Sequence, residues 1–235
     1  SNELYGANLM SKQNELAQFA DVVTVNSGNV GIGTSSPAAL LDLKHNSAST
    51  HLRLTENTSG NWSAFGVDTS DNLRMYVNNS ERMRIDATGA VTMPHQPAFL
   101  VTKNLDQNNI ATGSEVTVTW QAEVFDQNSD FASNVFTAPV TGKYLLTSAI
   151  RVDNLDTASN YYNFLFTTSN RIYRKIIDYG GISGDPVYWF FSLTAIADMD
   201  AGDTASVKIY QDNGTAQMDI RGDVTRSYFS GYLVA

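Results

Sequence analysis

Alternating apolar and polar positions dominate the C-terminal half of the chain, and the clearest example runs from Tyr144 to Val152. One face of this run carries Tyr144, Leu146, Ser148 and Ile150, while Leu145, Thr147, Ala149 and Arg151 fall on the other. A two-residue period predicts a β-strand rather than a helix. Pro139 and the pair Thr141-Gly142 come just before the run and predict a tight turn that leads into it.

The same period recurs in short segments separated by Gly, Asn and Asp, which are typical of turns between strands. Strands are predicted at 99–101, 116–120, 135–138, 144–152, 161–167, 171–178, 187–196, 206–210, 217–220 and 228–234. Many short strands with turns of this kind predict an all-β fold, a jelly-roll β-sandwich. We assign this head domain to residues 97–235.

Several motifs of the head resemble the globular head of the first complement component, whose family shares its fold with tumour necrosis factor. Phe136, Ala138, Pro139, Gly142 and Tyr144 match one motif of that family, and Phe229-Ser230-Gly231-Tyr232-Leu233 matches its last strand. Pro97-Ala98-Phe99 resembles its first strand, and Ala201-Gly202-Asp203 resembles a turn before a later strand. The resemblance implies a jelly-roll head whose two termini lie at its base.

Composition narrows the class of protein. Charged residues make up only 17% of the chain, and it contains 11 Tyr and 11 Phe, which is typical of an extracellular or virion β protein. The net charge of −9 disfavours nucleic acid as a partner, because a basic surface is needed to neutralise phosphates. Without cysteine there is no disulfide scaffold. No apolar run approaches the roughly 18 residues of a membrane helix, so we expect no membrane insertion.

A glycine-spaced element lies at residues 28–34, followed by Pro37, and it resembles an element of bacteriophage tail fibres and related bacterial surface fibres. Val30 and Ile32 alternate with glycines, which lets backbones pack closely around an axis with the larger side chains inside. A degenerate second copy places Gly89, Val91 and Met93 at the positions of Gly28, Val30 and Ile32. We interpret residues 22–96 as a trimeric fibrous β stalk.

Two smaller features belong to this stalk. Residues 42–93 include predicted strands at 51–54, 62–67 and 73–77, which we interpret as a small β knob. Residues 1–21 predict a short N-terminal helical segment, because Leu9, Gln13, Leu16 and Ala20 have coiled-coil spacing. This segment is either the end of a longer trimeric helical stalk or a frayed terminus.

Dense aromatic runs at 161–166 and 188–191 place large rings on both faces of one strand. A monomer uses one apolar face for its core, so the second face predicts contact with other copies. The alternative is a thick core or a ligand groove. We expect a homotrimer with these interface residues: Val30, Ile32, Tyr162, Phe164, Phe166, Trp189 and Phe191.

Candidate catalytic and metal-binding residues are few. The three histidines, His45, His51 and His95, all precede the head, which therefore holds neither a Ser-His-Asp triad nor an ordinary zinc site. His95 from three chains could surround an ion on a threefold axis; the alternative is a solvated histidine. Asp153, Asp156 and the group at 198–203 lie at turn positions, where Asp bonds its own backbone. We expect no catalytic residue, no metal site and no cofactor.

These features predict a phage tail fibre tip, a non-enzymatic homotrimer on the virion that attaches to a glycan or protein receptor on the host cell surface. Other virion tail proteins would bind through the N-terminus. The alternatives are a purely structural trimerisation cap of a virion fibre and a bacterial or spore surface adhesin. A secreted cytokine-like ligand is disfavoured by the fibre-type element at 28–37.

The receptor site is predicted at the tip, opposite the base. Four longer connections, 104–113, 154–160, 179–186 and 212–226, fall on that side if the strands alternate, while the short turns at 141–142, 169–170 and 201–202 fall at the base. Asn, Asp and Tyr in loops suit glycan hydroxyls, because they offer planar acceptors and a stacking face. The predicted receptor-binding residues are Asn154, Asp156, Asn160, Tyr179, Asp185, Asn213, Arg221 and Arg226. The triplet Arg221-Gly222-Asp223 spells an integrin-binding motif, which we interpret as a chance turn.

Overall fold

The computed structural model describes residues 22–44, 49–56 and 58–235, which fall in two compact units. The first unit ends at Pro94 and the second begins at His95. The predicted N-terminal helix at 1–21, His45 and the side chain of His51 lie outside what is described. Every element with described bounds is a β-strand.

The described part of the first unit contains two sheets. β1 and β2 form an antiparallel hairpin with β3 parallel to β2, and β4 to β8 form a five-stranded antiparallel meander. The strands are β1 (Val23–Asn26), β2 (Asn29–Ile32), β3 (Leu41–Leu43), β4 (Ser49–Thr55), β5 (Trp62–Val67), β6 (Leu73–Val77), β7 (Ser80–Ile85) and β8 (Val91–Thr92).

The two copies of the glycine-spaced element fold alike. In the first, Val25 pairs with Val30 across a turn that contains Gly28 at φ 87°. In the second, Ile85 pairs with Val91 across a loop that contains Gly89 at φ 91°. Positive φ favours glycine in both turns, so the sequence similarity reflects a shared hairpin.

The second unit, the head, contains the remaining strands. They are β9 (Ala98–Thr102), β10 (Val116–Thr117), β11 (Ala122–Asp126), β12 (Phe131–Ala132), β13 (Val135–Thr137), β14 (Gly142–Asp153), β15 (Tyr161–Thr168), β16 (Ile172–Ile177), β17 (Tyr188–Met199), β18 (Thr204–Asp212), β19 (Asp219–Ile220) and β20 (Tyr228–Leu233).

These strands form two sheets of a jelly-roll sandwich. One has the order β11-β9-β20-β14-β17, with β19 beside β14, and the other has the order β12-β13-β18-β15-β16, with β10 beside β18. The chain crosses between the sheets from β14 to β15 and again from β17 to β18, while the first and last long strands, β9 and β20, are neighbours. The predicted all-β jelly-roll fold is confirmed by this topology.

Aromatic rings join the two sheets in the core. Phe99 and Phe229 project from one sheet, Phe136 and Phe166 from the other, and all four are fully buried. The ring centroid of Phe99 lies 4.7 Å from that of Phe136 and 4.9 Å from that of Phe229, and Phe166 lies 5.7 Å from Phe229. Such contacts add to the free energy gained from burial alone.

In the head, two strands were not predicted and several predicted strand bounds differ from the structure. β11 and β12 were not predicted, because a bulge between Glu123 and Phe125 breaks the alternation in β11 and β12 has only two residues. The strand predicted at 116–120 ends at Thr117. Beyond it, the backbone N–H groups of Thr119 and Trp120 donate to side chains, Gln107 Oε1 and Asn134 Oδ1, instead of to a neighbouring strand.

Lys103 is fully buried at the end of β9, which is rare for lysine. Its Nζ donates to Thr119 O and Thr119 Oγ1, both at 3.0 Å, and to Gln107 Oε1 at 3.4 Å. Burial lowers the pKa of Lys103 from 10.5 to about 8, although nearby Asp106 partly opposes this shift. The three acceptors use all three ammonium protons, so the charge is solvated by the protein itself.

A lowered lysine pKa makes stability depend on pH. Above about pH 8 the folded state begins to lose this proton, while the unfolded state keeps it up to about 10.5, so folding becomes more favourable as pH rises through that window. We expect the unfolding free energy of the wild type relative to Lys103→Met to rise by up to about 1.4 kcal/mol per pH unit there. Urea unfolding of both proteins at pH 7.5, 8.5 and 9.5 measures it. A difference that stays flat across this range would contradict the assignment.

Candidate functional site

The two ends of the head differ in their connections. At the base, Gln96 Nε2 donates to Leu233 O, so the beginning and the end of this unit lie side by side. The short turns join there, since Ala201 N donates to Thr141 Oγ1 and Asn170 Nδ2 donates to Asp203 Oδ2. At the opposite end, β9, β14, β16 and β18 stop and β15, β17 and β20 start.

The four long connections meet at this opposite end, which we call the loop end (104–113, 154–160, 178–187 and 213–227). Asp219 accepts hydrogen bonds from Asn109 N at 2.7 Å and from Asn154 Nδ2 at 2.8 Å. Thr157 N donates to Asp185 Oδ1 at 2.8 Å, and Gly222 N donates to Asp106 Oδ1 at 2.7 Å. Each segment is therefore bonded to at least one of the others, as the sequence prediction of a single tip requires.

Arginines and aspartates form an ion-pair network at the loop end. Arg221 contacts Asp106 at 2.6 Å and Asp153 at 3.3 Å, and Arg151 contacts Asp153 at 3.0 Å. Arg226 contacts Asp223 at 2.5 Å. The Thr225 hydroxyl and the Arg226 guanidinium outweigh burial and lower the pKa of Asp223 to about 2. Within this network three arginines balance three aspartates, and their hydrogen bonds are charge-assisted.

A cleft of about 860 Å³ opens beside this network. It is lined by Arg151, Tyr188, Trp189, Phe190 and Arg226. The guanidinium of Arg151 lies 5.5 Å from the Tyr188 ring centre, and that ring is 66% exposed. Exposed rings next to guanidinium and carboxylate groups can stack on a sugar ring and bond its hydroxyls.

Sequence reasoning found only part of this cleft. Arg226 was predicted to bind a receptor and Trp189 to lie in a trimer interface, while Arg151, Tyr188 and Phe190 were missed. Both Arg151 and Phe190 lie within strands on the outer face of their sheet, where they pair in register. The consecutive aromatics 188–190 at the loop end of a strand are the signal that could have found the cleft.

Five of the predicted receptor residues are exposed at the loop end: Asn154, Asn160, Asp185, Asn213 and Arg226. Arg221 is half-buried in the ion-pair network. Several of these side chains also hold the loops, since Asn160 Nδ2 donates to Asp212 Oδ2 and Asp185 accepts from Thr157. Asn154 and Asn213 have positive φ, a conformation that asparagine tolerates better than most residues.

Asp156 is buried and is not available to a receptor, contrary to the prediction. Its carboxylate accepts hydrogen bonds from the backbone N–H groups of Ala158, Thr215 and Ala216. Burial acts to raise the pKa of Asp156, but these donors outweigh it and the pKa is lowered. The carboxylate thus clamps the 213–216 loop to the 154–160 loop.

Tyr179 is also buried, so this predicted receptor residue is corrected as well. Its ring packs edge-on against Tyr162 and Trp189, with centroids 5.8 Å and 5.3 Å away. The Tyr179 hydroxyl has no hydrogen-bond partner among the described residues, and burial raises its pKa. The Tyr179 ring instead packs against Trp189, which lines the cleft.

Four of the predicted interface residues lie in the core of the single chain: Tyr162, Phe164, Phe166 and Phe191. They have essentially no accessible surface, so they cannot contact another copy, and their assignment is corrected. Trp189 is 42% exposed in the cleft, Ile32 is 39% exposed, and Val30 is half-buried. The alternation of β15 and β17 was predicted correctly. The prediction was wrong about the partner of the inward-facing side chains, which pack in the core of the single chain and not against other copies.

One apolar surface of the head lies on the outer face of the sheet containing β14 and β17. Near the base, Leu145 pairs with Ile196 and Tyr232, and Ile196 is 57% exposed. Further along the same face the side chains are small, and Thr147 and Thr194 share a hydrogen bond of 2.9 Å. This face has an apolar half at the base and the cleft at the loop end.

The other candidate functional residues form ion pairs or hydrogen bonds within the chain. Arg221 and Asp223 of the Arg-Gly-Asp triplet are tied to Asp106 and Arg226 respectively. Asp198 pairs with Arg171 at 2.7 Å, and Asp203 accepts from Asp200 N and Asn170. No group of three His, Asp or Glu side chains suited to a metal occurs in residues 22–44, 49–56 and 58–235. The same residues include no helix that could cross a membrane.

Tyr162 and Tyr179 offer a matched pair for testing the loop clamp. The Tyr162 hydroxyl donates to Asp156 O and accepts from Asp156 N, while the Tyr179 hydroxyl is unpaired in the described part of the chain. We expect Tyr162→Phe to lower the unfolding free energy by about 1–2 kcal/mol and Tyr179→Phe to leave it unchanged or raise it. Chemical denaturation of both variants measures this. A larger loss in Tyr179→Phe than in Tyr162→Phe is incompatible with the bonding described.

Comparisons with known proteins give structural likeness only. No protein-family model matches the chain, and no curated protein matches it. Among solved structures, it is similar to the globular domain of zebrafish complement 1qA protein, at 17% identity and a TM-score of 0.44, over 60% of this chain and 98% of that one. It is also similar to murine APRIL, at 15% identity and a TM-score of 0.43, over 59% of this chain and 99% of that one.

Proposed function

We propose that this chain is the tip of a phage tail fibre, a non-enzymatic homotrimer on the virion that attaches to a host cell-surface receptor. The observation that carries the proposal is the loop end of the head, where four loops are bonded together and an open cleft is lined by aromatic and arginine side chains. Fixed loops on a rigid β scaffold are the usual position of binding residues. The fibre-type element at 28–37 supports the fibre assignment.

The chemistry of the loop end favours a glycan as the receptor. Tyr188 and Trp189 provide exposed ring surface, and the ion-paired Arg151 and Arg226 provide donors with fixed geometry. Because the arginines are already neutralised by Asp153 and Asp223, the cleft suits a neutral or weakly charged sugar better than a polyanion. One such site binds weakly, and three on one fibre give avidity.

The homotrimer would use the apolar half of the outer face described above, with Leu145, Ile196 and Tyr232 against neighbouring copies. Exposed apolar patches of this kind mark surfaces of association. The small Thr147 and Thr194 side chains permit close approach of another backbone. The cleft, at the other end of the same face, stays clear of these contacts.

The assembly is tested by the mass of the full chain. We expect a species about three times the 25.7 kDa chain mass in sedimentation velocity at micromolar concentration. Ile196→Asp should weaken it about tenfold or more, because burying an unpaired charge is costly. Ile176→Asp is the matched control, since Ile176 is equally exposed but lies on the outer face of the other sheet. Loss of assembly in Ile176→Asp alone would show that the other face is used.

Receptor binding is tested with the purified full chain on an array of bacterial surface polysaccharides and on a panel of bacterial cells. We expect Trp189→Ala and Arg226→Ala each to reduce binding by about tenfold or more, as stacking and charged hydrogen bonds are lost. Asp200→Ala, in an exposed turn at the base, is the control and should bind normally. Normal binding by both cleft variants, with loss in the base variant, would refute a site at the loop end. Absence of any binding would favour a purely structural cap.

A further inference from the structure

The sheet β4–β8 of the first unit has a continuous apolar face. Its pairing register places apolar side chains opposite one another in two rows that cross the sheet. One row contains Leu52, Phe65, Met75 and Met83, and the other contains Val67, Leu73, Ile85 and Val91. No charged side chain interrupts either row.

The opposite face of this sheet is polar, and four of its charged side chains form ion pairs. Arg74 forms an ion pair with Asp68, and Glu81 lies 3.6 Å from Arg74 and 2.8 Å from Arg84. The guanidinium of Arg53 lies 5.0 Å from the centre of the Trp62 ring, which contacts Tyr76. These polar side chains contact one another within the single chain, and the face is suited to solvent.

The apolar face is left open in the single chain. Six of its side chains remain between 41% and 63% exposed: Leu52, Leu54, Phe65, Val67, Leu73 and Val91. A sheet with one apolar face needs a second layer, because isolated apolar surface of this extent is unfavourable in water. The described residues of this unit leave that layer unfilled.

The size and chemistry of the face point to its occupant. Six apolar side chains that are each about half exposed lie on one continuous face, and such a patch marks a surface of association with another protein. A charge-free face is complemented by another charge-free face, and each copy of this chain supplies one in equal amount. The β1–β3 sheet of the same unit also has exposed apolar side chains, Val25 and Leu41.

We propose that the apolar faces of the β4–β8 sheets of neighbouring copies pack together and form a closed hydrophobic core in the fibre shaft, with the Arg74–Glu81–Arg84 face outside. This inference rests on the homotrimer proposed above and names the surface that holds its first unit together. The knob predicted from sequence becomes a shared core of the assembly rather than an appendage of each chain.

Single cysteines in the full chain test the proposal, because the natural sequence has none. Leu54→Cys and Val67→Cys report on the apolar face, and Arg53→Cys, next to Leu54 on the same strand, reports on the polar face. Reaction with a polyethylene-glycol maleimide is followed at concentrations at which the chain is trimeric, and again after dilution to the monomer. Reaction rates in urea normalise the reporters.

We expect Leu54→Cys and Val67→Cys in the trimer to react at least about tenfold more slowly than Arg53→Cys, and to lose this protection on dilution. A trimer in which all three react equally overturns this inference and leaves the homotrimer standing. Protection that persists at monomer mass shows that the same chain covers the face, for example through residues 1–21, and also overturns it. A chain that stays monomeric at every concentration overturns both the inference and the homotrimer.

Discussion

The structure depends on the requirement that each apolar face of a β-sheet be covered. In the head, the two sheets meet this requirement for each other, and Phe99, Phe136, Phe166 and Phe229 fill the space between them. Outside that core, exposed apolar side chains remain on the outer faces of the head and on one face of the β4–β8 sheet. Sheets with surplus apolar faces gain stability by joining copies, and such burial would stabilise the proposed assembly of a chain that has no cysteine.

Alternation in the sequence predicts that a strand has two faces but not which one is inside. In β15 both faces carry aromatics, since Tyr161 precedes Tyr162, and the choice is made by register with β16 and β18. Phe164 and Phe166 point inward because they pair with Ile209 and Val207 on the buried side of β18, and Tyr162 lies on the same face. Long-range pairing of this kind has no local signature, so the fold could be predicted while the interface residues could not.

The same limit applies to the loop end. The position of the four long loops follows from strand direction, which alternation and turn composition predict well. The role of an individual Asp or Asn does not follow, because turns use these residues both as free surface groups and as internal acceptors. Asp185 remains exposed, whereas Asp156 is buried beneath backbone N–H donors that arrive from residues 215 and 216. Arg151 was missed because it lies inside a strand, and its neighbours in the cleft come from β17 and from the loop before β20.

Internal bonding of the loops has a consequence for affinity. A loop that is ordered before it meets a ligand loses less conformational entropy on binding. Less of the binding free energy is then offset by the cost of ordering the site. The Asp156 clamp and the Arg221 pairs with Asp106 and Asp153 provide this order. A cleft whose arginines are ion-paired gains little affinity from long-range electrostatic attraction. Its affinity for a ligand must come from stacking and from the presence of several copies of the site. The proposed trimer would supply that repetition, so the apolar faces that would join the copies would also make weak recognition by each head sufficient.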